Sequence, residues 1–102
     1  MTRCEAPRGP GPQPEDAPLV ALSEALVRAR AREAGIAYEL IAARADLQAI
    51  VTAMRGSEEA DVRTLRGWRR ELVGEELLQL LDGRVSLSVV GRELRIAERP
   101  GG

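Results

Sequence analysis

Four arginines gather around the only tryptophan of this sequence. Arg66, Arg69 and Arg70 lie within the stretch Leu65-Arg66-Gly67-Trp68-Arg69-Arg70-Glu71-Leu72-Val73-Gly74, and Arg63 stands just upstream. A guanidinium presents a planar fork of donors that matches phosphate oxygens. If this segment is helical, Arg63, Arg66 and Arg70 fall at i, i+3 and i+7, one exposed stripe beside Leu65, Trp68 and Leu72. Two readings stand side by side. The arginines neutralise nucleic-acid phosphates, giving a salt-dependent affinity; or they form a solvated face, with Arg63 near Glu59. Trp68 could stack on a base. A lone tryptophan in a leucine-rich helix is more often core, its N–H reaching a backbone acceptor, and Tyr38 is read the same way.

Carboxylates are the other reactive groups. Phosphodiester cleavage by paired metal ions needs several of them converging from different elements. Asp16, Asp46, Asp61 and Asp82 instead read as helix-end residues, and Glu58–Glu59 and Glu75–Glu76 are adjacent pairs that point to different helix faces. Histidine is absent, which removes the commonest general base and metal ligand. The one cysteine, Cys4, forms no disulfide or multi-cysteine metal site within the chain. Gly9-Pro10-Gly11-Pro12, Gly91-Arg92 and Gly101-Gly102 lack the strand–helix setting and lysine of a phosphate loop. No catalytic residues, metal ligands or cofactor site are expected.

The net charge is −1 and every basic residue is arginine. Abundant Ala, Gly, Pro and Arg together point to GC-rich codon usage, so any anion site must be local. Five of the six prolines lie before residue 19, and residues 1–17 show no apolar periodicity. They read as a disordered leader, followed by one domain over 18–98. No apolar run is long enough to span a bilayer, and the leader has no secretory apolar core. A soluble, cytoplasmic protein is the default expectation.

The elements that would position the arginines are mostly helical. A first helix begins near Pro18 with Asp16 as its N-cap, carries Leu19, Leu22, Leu26 and Ala29 inward, and ends at Gly35. Val20 and Val27 broaden that stripe. A short turn over Ile36–Ala42 comes next, then a helix from Arg44 to Met54 with Leu47, Ile50, Val51 and Met54 on one face. Ser57 or Asp61 would cap the next segment, in which Gly67 costs about 1 kcal/mol relative to alanine and marks a bend or boundary. A leucine-rich helix closes at Gly83. The period then changes to two, placing a hairpin over 85–97 with a type II′ turn at Gly91-Arg92, Val89 opposite Leu94 and Leu87 opposite Ile96. The expected fold is therefore mainly α, about five helices and a C-terminal hairpin, with the helices ending at about residue 83.

From Leu19 to about Arg84 the sequence resembles an HRDC-type domain, the helical accessory module of RecQ-like helicases and ribonuclease D, and most closely the C-terminal domain of ribonuclease D. The resemblance rests on Leu22–Glu33, Gly35-Ile36-Ala37-Tyr38-Glu39-Leu40-Ile41-Ala42, Ala43-Arg44-Ala45-Asp46-Leu47, the Gly67-Trp68-Arg69 segment, and the leucine-rich close at 74–83. Ala43 departs from the family, which often has a capping hydroxyl there, and 56–60 falls in a region that varies. The family enzyme is a 3′–5′ exoribonuclease whose metal-binding carboxylates sit in a separate N-terminal domain; about eighteen leader residues stand in its place here. The resemblance implies a non-catalytic module that binds RNA or another nucleic acid, with Arg63, Arg66, Arg69 and Arg70 as the candidate contacts, beside an exonuclease supplied by another chain or lost upstream. The alternative is a protein–protein interaction module without nucleic-acid binding.

Overall fold

The computed structural model describes residues 13–98, so most of the expected leader lies outside the described residues. Residues 14–17 do not behave as leader. Pro14–Asp16 form a 3-10 turn that runs into the first helix, and Asp16 is almost entirely buried. Its carboxylate does not cap that helix. It accepts the Gln13 N–H at 3.1 Å and the Arg55 guanidinium at 3.1 Å on each oxygen, tying the entry of the fold to the far end of a later helix.

Helix α1 spans Ala17–Ala34. Gly35 ends it in the left-handed conformation, φ 69°, while the Ile36 N–H reaches back to the Ala31 carbonyl at 3.0 Å. Its buried stripe is Val20, Ser23, Leu26, Val27 and Ala31, whereas Leu19 and Leu22 are exposed. The buried face is thus rotated from the expected one. Ser23 is buried without penalty because its hydroxyl donates to the Leu19 carbonyl at 2.8 Å, and a buried serine hides the true period.

One helical turn, α2 (Tyr38–Ile41), leads into α3 (Arg44–Arg55). Ala43 offers no side-chain cap, but Asp46 compensates by accepting the Ala43 N–H at 2.8 Å. Leu47, Ile50 and Val51 are buried on the expected face. Neither Ser57 nor Asp61 caps the next segment. Ser57 sits in a left-handed turn, φ 60°, and the next structured piece is a 3-10 turn, Arg63–Leu65, begun by Val62.

The last helix, α4, is continuous over residues 67–81. It is α-helical at Gly67–Arg69, π-helical at Arg70–Gly74 and α-helical again at Glu75–Leu81. The described residues therefore hold four helices, the two expected after residue 60 being fused. Gly67 stands at the boundary expected for it, with φ 54°. Gly74 keeps helical angles instead of breaking the helix, and it lies against the Thr64 carbonyl where no side chain would fit. The core is aliphatic: Val20, Leu26, Val27, Ile41, Leu47, Val73 and Leu77 are fully buried.

Strands β1 (Val85–Val90) and β2 (Glu93–Glu98) pair antiparallel, with Val89 opposite Leu94 and Leu87 opposite Ile96. Val85 is buried and Leu87 and Ile96 pack against the core, which a lone hairpin needs for stability. The turn differs from the expectation. Gly91 and Arg92 both have positive φ, 58° and 70°, the type I′ pattern whose twist matches the strands. For an arginine this conformation costs about 1–2 kcal/mol.

Candidate nucleic-acid interface

The four candidate arginines do share one region, but not one helix face. Arg63 lies in the 3-10 turn and Arg66 is extended, φ −128°, so the expected i, i+3, i+7 stripe does not exist. What organises them is α2. A one-turn helix leaves its carbonyls without internal partners. Arg63 Nη2 donates to the Glu39 carbonyl at 2.9 Å, Arg69 Nε to that of Leu40 at 2.8 Å, and the Thr64 hydroxyl to that of Ile41 at 3.0 Å. Three successive carbonyls are thus capped by one segment. Arg63 Nε also reaches Asp46 at 3.2 Å, rather than Glu59.

Arg66 faces outward, whereas Arg70 is partly buried and also donates to the Leu65 carbonyl at 3.2 Å. Arg66 pairs with Asp61, and its side chain is 61% exposed. Arg70 donates to Glu75 at 2.8 Å and pairs with Glu59; these hydrogen bonds, that to Glu75 foremost, hold its guanidinium more firmly protonated than usual. Trp68 is not core: it is 46% exposed, with the Arg69 guanidinium 4.5 Å from its ring centroid. Gly67, with its positive φ, turns the chain just before it. Tyr38 is half-buried rather than core. Arg28 lies over its ring at 4.3 Å, and burial pushes its hydroxyl above the ordinary tyrosine value.

A second group is invisible to sequence spacing. The end of α1 and the hairpin turn bound a cleft of about 840 Å³, lined by Arg28, Ala29, Arg32, Glu33, Gly91, Arg92, Glu93 and Leu94. No local pattern could reveal it, since Arg28 and Arg32 lie on α1 and Arg92 in the hairpin turn, far apart in sequence. Nearby, Arg30 makes a two-pronged contact to Glu76 at 2.7 and 2.6 Å and a bond to Glu33 at 2.7 Å, joining α1 to α4. Among the described residues no three His, Cys, Asp or Glu side chains are grouped closely enough to hold a metal ion, and no helix is long and apolar enough to cross a membrane.

The sequence has curated relatives over most of its length. Ribonuclease D of Acidiphilium cryptum (strain JF-5) is 37% identical over 97 residues, which is 94% of this chain and 24% of that protein. The chain is homologous to part of ribonuclease D. Ribonuclease D of Gluconacetobacter diazotrophicus is 39% identical over 85 residues, covering 83% of this chain and 20% of its own length. That of Nitrobacter hamburgensis is 35% identical over 97 residues, again 94% and 24%. The chain therefore spans about a quarter or less of the ribonuclease D sequences it matches. No family model and no solved structure matches it.

Proposed function

We propose that this chain is an RNA-binding accessory module of the ribonuclease D type, which holds RNA for a 3′–5′ exonuclease domain while its own residues take no part in the cleavage. The observation that carries the reading is the 97-residue match to ribonuclease D. The surface around Gly67 supports it. Arg66 and Arg70 engage carboxylates that are themselves at least half exposed, and such pairs are worth little, so a phosphate can replace them at small cost. Trp68 supplies an exposed aromatic surface between them for a base. Arg63 and Arg69 have a first duty to the α2 carbonyls and assist with their remaining donors.

Fluorescence anisotropy with short single-stranded and structured RNA, across a salt series, tests the proposal. Wild type binds at low salt, and Arg66→Ala with Arg70→Ala lowers both the affinity and the salt slope, the slope by about 0.7 for each phosphate no longer neutralised. No binding at low salt, or binding indifferent to salt, would count against it. A second reading has its own support in the hairpin, where Val89 is 72% and Val90 53% exposed. A module that docks on protein through those valines would leave RNA unbound and lose its partner on Val89→Glu.

A further inference from the structure

We propose that the cleft between α1 and the hairpin turn is a phosphate-binding site for single-stranded RNA, formed by Arg28, Arg32 and Arg92. The inference rests on the RNA-binding reading and moves its main electrostatic contact away from the Gly67 region. The contrast in pairing is the starting point. Arg63, Arg66, Arg69 and Arg70 are all engaged by carboxylates or carbonyls of the chain. Arg28, Arg32 and Arg92 have no carboxylate at ion-pair distance among the described residues, although all three line one cleft. An incoming phosphate has no ion pair of these three arginines to break there. Of the two carboxylates that line the cleft, Glu33 and Glu93, Glu33 is already bonded to Arg30 at 2.7 Å.

Two of the three guanidiniums are also placed by the fold. Arg28 is held over the Tyr38 ring at 4.3 Å, which limits its freedom before any ligand arrives. Arg92 occupies a left-handed turn position that glycine or asparagine would fill without strain. Non-glycine residues kept in such conformations concentrate at functional sites. Ala29 and Leu94 add an apolar lining suited to a ribose or base face. The cleft also connects to the first region. Arg28 stacks on Tyr38 of α2, the Leu40 carbonyl of α2 holds Arg69, and Arg69 lies against Trp68. A strand leaving the cleft across α2 arrives at the exposed tryptophan, which favours an unpaired chain whose bases can stack.

The test is RNA anisotropy on the full chain carrying Arg32→Gln with Arg92→Gly, beside Arg84→Gln, a control outside the cleft. Arg92→Gly relaxes the turn, so thermal stability holds or rises while binding falls, a combination that loss of fold cannot produce. The double variant should bind single-stranded RNA about tenfold more weakly, with a salt slope lower by about 1.4, which is two phosphates at 0.7 each. Arg84→Gln should bind nearly as wild type does. If wild type binds and the double variant binds equally well, or if Arg84→Gln weakens binding as much, the cleft assignment is overturned while the RNA-binding reading stands. If wild type binds no RNA at all, that reading fails and the cleft assignment falls with it.

Discussion

Gly74 lies against the Thr64 backbone so closely that a Cβ there would stand 2.6 Å from the Thr64 carbonyl oxygen and 3.2 Å from Leu65 Cδ2. The contact sets the distance between α4 and the 3-10 turn that carries Arg63, and so positions the segment facing α2. Gly74→Ala gains up to about 1 kcal/mol of helix propensity. It forces a backbone oxygen to move, and overpacking of this kind costs about 1–3 kcal/mol. Thermal unfolding followed by circular dichroism should show a lower Tm, by about 4–8 °C for each kcal/mol of net loss in a domain of this size. Gly67→Ala meets nothing within 4 Å, so its loss comes from its positive φ, about 1–2 kcal/mol, and not from a clash. A Tm for Gly74→Ala at or above wild type refutes the close-approach argument.

How much of the fold is legible in the sequence depends on the range of each signal. The hairpin register, Val89 to Leu94 and Leu87 to Ile96, and the end of α1 at Gly35 depend on neighbours in sequence, and expectation and structure agree there. The α1 stripe is misleading because Ser23 is buried through a local hydrogen bond to Leu19. The position of the arginine group is legible, but its arrangement is not. Helical spacing fails across 63–70, where the chain makes a 3-10 turn, an extended residue and only then a helix. Nothing in the spacing of 63–69 shows that it caps carbonyls at 39–41, because that pairing exists only after α2 and the 3-10 turn meet. The cleft between Arg92 and α1 is beyond reach for the same reason.

Asp16 and Arg55 form an ion pair in which one partner is buried and the other partly exposed. Removing one member of a buried pair leaves an uncompensated charge, typically a loss of about 3–5 kcal/mol. Water still reaches Arg55, which reduces the loss to about 2 kcal/mol. Asp16→Ala should also free the Gln13 N–H, loosening the turn at Pro14–Asp16. Urea unfolding gives the stability change; equal midpoints for Asp16→Ala and wild type would show that the pair contributes nothing.

Tyr38 is the only tyrosine, so its ionisation can be followed directly by tyrosinate absorbance. Burial raises its pKa above 10.0, the nearby Glu24 adds to that, and Arg28 opposes it. A folded-state pKa above the unfolded one means stability that is present below about pH 10 and lost as pH rises through the folded value. Tyr38→Phe should remove that alkaline decline. At neutral pH it should cost little, because the buried Tyr38 hydroxyl has no hydrogen-bond partner to lose. Arg28→Ala should push the tyrosine titration further up; a downward move would contradict the stacked geometry.

Capping of α2 separates arginines that hold the fold from those free to hold a ligand. Thr64 is fully buried, and Thr64→Val keeps its shape while leaving the Ile41 carbonyl without its donor. An unsatisfied buried acceptor costs about 1–3 kcal/mol. Arg63→Ala and Arg69→Ala each uncover a more exposed carbonyl, which water can reach, so their losses should be smaller, about 0.5–1.5 kcal/mol, and still measurable. Arg66→Ala removes only a pair between two exposed side chains and should leave stability within about 0.5 kcal/mol of wild type. The order Thr64→Val, then Arg63→Ala and Arg69→Ala, then Arg66→Ala is therefore the expected ranking of thermal destabilisation. If Arg66→Ala destabilised as much as Thr64→Val, Arg66 would belong to the scaffold, and its loss of RNA affinity could no longer be read as the loss of a phosphate partner.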